Sequence, residues 1–141
     1  VQQTTGDALK RRLLASPAAV GLARTYVGAH LRRLGYPDAI EDAQLIAAEL
    51  VTNAARASGP WDTVVLFLGE QSRGLVLAVW DGAAGTPSPG PLPVVDLNDV
   101  DALPDDPGGW GLHIVRALSR EVWMERPGTG PGKWVCASLN V

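Results

Sequence analysis

Residues 82–108 carry six Pro and five Asp and neither Lys nor Arg, and no apolar position in them recurs at helical or strand spacing. Proline lacks a backbone donor and fixes φ, so such a stretch extends neither a helix nor a sheet. Structureless connections this long are abnormal inside a compact domain and are usually functional lids or disordered segments. The fold must therefore be built from what lies on either side. Of the 16 Gly and 11 Pro in the chain, twelve fall in 82–111 and five in 127–132, so the remainder reads as an ordinary globular sequence. With 46% hydrophobic residues over 141 positions it can bury one core, which predicts a single domain, 1–141. The composition of 86–108 predicts local mobility there in the absence of a ligand.

The remaining totals exclude several classes. Twelve Lys and Arg against fifteen Asp and Glu give a net charge of −3, which is no footprint for general nucleic-acid binding. One cysteine, Cys136, excludes an internal disulfide and a Cys-rich zinc site, and two histidines, His30 and His113, argue against a His-based metal centre. No apolar run reaches the ~18 residues of a membrane span. Lys10, Arg11 and Arg12 are followed by too short an apolar stretch for a signal peptide. A cytoplasmic protein with no membrane partner is the expectation.

Residues 8–15 suit an edge strand. Ser16-Pro17 reads as a helix start, with Ser as N-cap and Pro in the first turn. Val20, Ala23, Val27, Leu31 and Leu34 then recur at spacings of three and four until Gly35 and Pro37. Asp38 is placed to cap a second helix reaching about Ser58, with Ile40, Ala43, Ala47, Leu50, Val51 and Ala54 on its apolar face. Thr63–Leu68 and Leu75–Trp80 are β-rich runs joined by GEQSRG and predict an antiparallel hairpin. A third helix is expected from near Gly109 through Leu118, then strands at Glu121–Glu125 and Trp134–Leu139. Hairpins with helices between them predict an α+β two-layer sandwich, a mixed sheet covered by helices on one face.

Three constellations carry chemistry. Glu49 and Asn53, four apart on the second helix, share one face, with Asp42 and Arg56 near the same line. An amide oxygen is a hard neutral ligand suited to Mg²⁺ beside phosphates, and a neighbouring carboxylate can take a proton from an attacking hydroxyl. Taken alone, a solvated polar helix face is the plainer reading. Asp81-Gly82-Ala83-Ala84-Gly85 follows a strand. An ionised Asp accepts hydrogen bonds from an exocyclic amino group, and glycine lets backbone approach a flat ring. Alone, it is a turn closing a strand. Gly108-Gly109-Trp110-Gly111-Leu112 opens a helix, where exposed backbone N–H groups and the positive dipole end favour phosphate. Alone, it is a loop changing direction. Lys133, after a Gly-Pro-Gly run, reads either as a phosphate contact or as a strand-edge lysine. His113 reads as a packed or partly exposed structural side chain. The five Trp read as core and rim packing rather than a base-stacking platform, since no basic residues interleave with them.

In this order, ELVTNAARAS, WDGAAGTP and GGWGLHIV resemble the N box and the two glycine boxes of the GHKL-type ATPase superfamily, which includes gyrase, heat-shock chaperones and histidine kinases. Short, with no dimerisation helix pair or catalytic His domain, the chain is similar to the anti-sigma-factor serine-protein kinase branch, and ELVTNA and GWGLHIVRALS look particularly like its small actinomycete regulatory members. The resemblance covers roughly residues 16–141 and implies a Bergerat-type fold holding ATP and Mg²⁺. Carried over by position, Asn53 is the Mg²⁺ ligand and Glu49 the base for transfer to a protein serine. Asp81 meets the adenine amino group and Gly85 lies beneath the ring. Gly109, Gly111 and Leu112 meet the phosphates, Arg56 and Lys133 are further cofactor contacts, and 86–108 is the ATP lid. Four features depart from the family pattern: Ala83 stands where a glycine is usual, Ala57 where a His is frequent, Lys133-Trp134 where the late strand often carries Thr near the adenine, and the lid is rich in Pro and Asp.

Two functions follow from the resemblance. One is an ATP-dependent serine-protein kinase and anti-sigma regulator whose partners are a sigma factor or an antagonist protein, with a homodimer left open and no direct nucleic-acid contact. The other is a non-catalytic protein-binding module of the same fold in which nucleotide is weakly bound or absent.

Overall fold

The computed structural model describes residues 7–83, 107–128 and 130–141; the side chains of 107–111 lie outside that description. Gly85, and with it 86–106 of the proposed lid and the mobility expected there, fall outside the described residues. The elements run β1 (Leu9–Leu14), α1 (Pro17–Leu34), a 3-10 turn (Pro37–Ala39), α2 (Ile40–Arg56), β2 (Thr63–Gln71), β3 (Gly74–Asp81), α3 (Pro107–Leu118), β4 (Ser119–Glu125) and β5 (Lys133–Leu139).

Local chemistry sets the helix ends. Ser16 is extended and leads into α1, with Pro17 in the first turn, but its hydroxyl makes no capping bond. At the other end Gly35 takes the left-handed conformation (φ 86°), and Tyr36 N–H donates to the Leu31 carbonyl at 2.9 Å, closing the helix. Asp38 does not cap α2. Pro37 starts a 3-10 turn that runs straight into the helix, leaving Ala39 as the preceding residue and no side-chain cap. α3 begins at Pro107, two residues before the expected glycine, because proline is already shaped for a first helical position.

The five strands form one sheet in the order β1-β2-β3-β5-β4. Every pairing in it is antiparallel, where a mixed sheet is the sequence expectation. The reason is topological. The crossover through α3 does return β4 parallel to β3, but β5 inserts between them and pairs with both. The β2–β3 hairpin is also tighter than its sequence suggests. Gln71 pairs with Gly74, so the strands absorb most of GEQSRG and leave a two-residue turn.

All three helices cover one face. Ala19, Ala23, Val27 and Leu31 of α1, Ile46, Ala47, Leu50 and Val51 of α2, and Leu112 and Val115 of α3 pack on Leu66, Leu68, Leu77, Val79, Val135 and Ala137 of the sheet. The far face holds a smaller buried group, Phe67, Val76, Ala78 and Cys136, with Trp123 and Trp134 against it. Burial on both faces explains why TVVLFL and LVLAVW read as continuous apolar runs without alternation. No helix among the described residues is long and apolar enough to cross a membrane.

Candidate functional site

Two helix flanks and the end of two strands converge on the helix-covered face. On α2, the opposite flank is fixed by α1. Gln44 donates to the Arg24 carbonyl at 3.0 Å, and Gly28 lies so close to Gln44 that a Cβ there would sit 2.8 Å from its Nε2. Asn53 lies nine residues beyond Gln44, about two and a half turns, hence on the other side of the helix. Glu49 is one turn before Asn53 on that same side. Both are half-buried, as polar groups flanking a buried stripe should be. Arg56, on the same line, is exposed in the last turn. α3 also packs against α2, and α1 already covers the Gln44 side, so this flank is the one turned toward α3.

α3 opens on Pro107-Gly108-Gly109 with Gly111 a turn on. The first-turn N–H groups of a helix have no intrahelical partner, and three glycines remove the side chains that would screen them. Gly109 and Gly111 lie in the first turns of α3. Leu112 is split in role: its side chain is buried in the core, leaving only its backbone for a ligand. His113 is packed, as expected for a structural histidine, and its Nε2 has no hydrogen-bond partner among the described residues.

The strand ends hold the least expected feature. Asp81, last in β3, stands directly opposite Lys133, first in β5. By strand alternation both point to the face carrying Val79 and Val135, beneath the helices. Lys133 Nζ donates to Asp81 Oδ1 at 2.9 Å, with side-chain exposures of only 1% and 2%. The same Oδ1 accepts the Ala83 N–H at 3.0 Å. Asp81 thus closes its own turn and neutralises a buried lysine. Lys133 is not at a sheet edge, because β5 is an interior strand, and its ammonium is engaged by Asp81. Trp134 lies on the far face, edge-on to Phe67 with ring centroids 6.4 Å apart, and takes no part in the site. Sequence reasoning missed Gly132, which makes this approach feasible. Its φ is +92°, and a Cβ there would fall 2.3 Å from the Asp81 carbonyl oxygen. The Gly-Pro-Gly-Lys run carried that signal. Trp61, expected in the core or rim, is instead 86% exposed in the α2–β2 connection.

A family model for the histidine kinase-like ATPase domain matches residues 13–139. The chain belongs to that family. No curated protein matches it. Membership in the histidine kinase-like ATPase domain family implies ATP binding. α2, which carries Glu49 and Asn53, packs against α3, whose first turn holds the glycines. No group of three or more His, Cys, Asp or Glu that could hold a metal exists among the described residues. Asp81, which the sequence assigns to the adenine amino group, is already engaged by Lys133 and the Ala83 N–H.

Proposed function

We propose that this histidine kinase-like ATPase domain is an ATP- and Mg²⁺-dependent serine-protein kinase of the anti-sigma type, acting on an antagonist protein and restraining a sigma factor. The observation that carries the reading is the pair Glu49 and Asn53, one turn apart on the α2 flank that faces away from α1. Bound Mg²⁺ would supply neutralisation of phosphate charge. In this reading the Asn53 amide oxygen holds the cation. The Glu49 carboxylate lies beside it, accepting the proton of an incoming serine hydroxyl. The backbone N–H groups of Gly109, Gly111 and Leu112 meet phosphate oxygens, and exposed Arg56 is free to turn toward them. Catalysis is then positioning and electrostatics. Incubation with Mg-ATP and candidate antagonist proteins tests it. The expected result is phosphoserine on one of them, lost in Glu49→Ala; no phosphoserine on any, with Glu49→Ala indistinguishable from the parent, refutes it.

The buried Asp81–Lys133 pair favours a second reading, a protein-binding module in which nucleotide is weakly held. Under it, partner capture survives Asn53→Ala and is unaltered by added Mg-ATP. Loss of capture in Asn53→Ala excludes it.

A further inference from the structure

We infer that the outer edge of β1 is a docking site for an extended acidic segment of a partner protein, which adds to the five-stranded sheet beside β1. The inference lies outside the α2–α3 cleft and stands whether or not that cleft turns over ATP.

Among the described residues β1 has a strand on one side only. The Ala15 N–H donates to the Asp62 carbonyl at 2.8 Å, just before β2 begins. In an antiparallel pair, residues alternate between bonding the neighbouring strand and facing away from it. Odd-numbered residues of β1 therefore bond β2, and Lys10, Arg12 and Leu14 turn their backbone groups outward. Arg11 Nη1 donates to the Lys10 carbonyl at 3.0 Å, and the Ser16 N–H to the Leu14 carbonyl at 2.8 Å. The N–H of Lys10 and both backbone groups of Arg12 stay open among the described residues.

Charge names the occupant. Residues 8–37 hold six of the twelve bases in the chain and none of its fifteen acids. Lys10, Arg11 and Arg12 are consecutive and exposed on this strand. Leu9 and Leu13 lie in the helix-covered core, so by alternation Arg11 rises on that side, its guanidinium 5.4 Å from the Tyr26 ring centroid. Lys10 and Arg12 point to the other side, so an added strand meets cations on both of its faces. Leu14, and Leu22 one turn before Tyr26 on α1, are exposed and offer it apolar contact. A second copy is disfavoured, because antiparallel pairing of two β1 strands sets base against base. A nucleic acid has no row of alternating amide donors and acceptors to match the open backbone. An acidic polypeptide satisfies backbone and charge together: main-chain bonds give affinity and alternate side chains give specificity.

The test uses a short fluorescein-labelled peptide of alternating Glu and Val, its counterpart with Lys in place of Glu, and a mixed-sequence DNA oligonucleotide. Fluorescence anisotropy reads binding, and amide hydrogen exchange by NMR reads the strand edge. The acidic peptide is expected to bind with a Kd below about 1 mM that rises with salt. At saturation it should slow exchange of the Lys10 and Arg12 amides about tenfold or more. Lys10→Glu with Arg12→Glu should weaken binding about tenfold or more, since two attractive pairs become repulsive. If circular dichroism shows that variant unfolded, Lys10→Gln with Arg12→Gln takes its place, and about threefold weakening is expected. Four results each overturn the inference: no binding at about 1 mM, equal binding of the Lys counterpart, tighter binding of the oligonucleotide, or unchanged affinity in the folded variant. Exchange of both amides unaltered by bound peptide overturns it too, because charge alone then holds the peptide. So does a parent that self-associates in sedimentation velocity with its Arg12 amide already protected, since a second copy then holds the edge. None of these results bears on phosphotransfer.

Discussion

The loop joining β4 to β5 contains three glycines that separate two physical effects. Gly128 has an ordinary φ and open space around a notional Cβ; Gly130 has φ +89° and open space; Gly132 has φ +92° and a Cβ position 2.3 Å from the Asp81 carbonyl oxygen and 2.7 Å from Trp80 Nε1. Each is replaced by alanine in turn. Alanine lowers the entropy of the unfolded chain, a gain of about 0.4–1 kcal/mol wherever the native backbone tolerates it. Gly128→Ala should therefore be neutral or slightly stabilising. A left-handed backbone costs an L-residue about 1–2 kcal/mol, so Gly130→Ala should lose about 0.5–1 kcal/mol net. Gly132→Ala carries that strain plus a clash with a strand carbonyl and an indole ring, neither of which is a flexible side-chain end. Overpacking of this kind costs about 1–3 kcal/mol more, for a total near 2–4 kcal/mol. With m near 1–3 kcal/mol/M in urea, the Gly132→Ala midpoint should fall by about 1–2 M, several times the Gly130→Ala shift. Equal midpoints for Gly130→Ala and Gly132→Ala would refute the close-approach argument, and with it the account of how Lys133 is brought opposite Asp81.

Cys136 is fully buried, and burial followed by the neighbouring Glu125 carboxylate pushes its thiol far above the usual range. A thiol-specific reagent at pH 8 should leave it unmodified in the folded protein and label it only in denaturant. Partial burial works against ionisation of Glu125, hydrogen bonds from Trp123 Nε1 (3.0 Å) and Cys136 Sγ (3.4 Å) favour it, and the carboxyl lies below its ordinary value. A depressed carboxyl stabilises above its unfolded pKa and loses that contribution as pH falls through the folded one, so from about pH 5 to 3 the parent should lose stability more steeply than Glu125→Gln, read by urea midpoints. Trp61 is 86% exposed, so Trp61→Ser should shift stability by no more than about 0.5 kcal/mol and remove the most iodide-quenchable part of the fluorescence. Glu49 and Asn53 are half-buried helix-flank residues, so each alanine variant should stay within about 1 kcal/mol of the parent, and under the proposed kinase function it should lose phosphotransfer, measured by denaturation alongside a phosphorylation assay.

The parts of the fold legible from sequence are those where one residue type has one local meaning. Pro17 and Gly35 bracket α1, apolar spacing defines α2, and β-rich runs define β2 and β3. The two-layer arrangement followed from their order. What escaped depends on partners distant in sequence. Asp38 looked like a cap because nothing local announces a 3-10 entry into α2. The wholly antiparallel sheet depends on where β5 inserts, which no stretch of β5 encodes by itself. At the site, the α2 pair was legible because four-residue spacing fixes a shared helix face. The engagement of Asp81 was not, since the two members of its ion pair are 52 residues apart. A one-residue change of register would have put Trp134 there instead of Lys133.

The interior position of β5 has a consequence for synthesis. When β3 leaves the ribosome, its outer edge has no neighbour, and the strand that will cover it starts at residue 133. At about 5–20 residues per second, the edge of LVLAVW waits several seconds for its partner. A strand edge that apolar is a template for pairing with other chains. β1, by contrast, is made before β2 and can close its side at once, and it carries Lys10, Arg11 and Arg12 along a permanent edge. The vulnerable edge of the nascent chain is thus the one that ends up best hidden, and slowing translation between residues 81 and 133 should raise aggregation more than slowing it anywhere earlier.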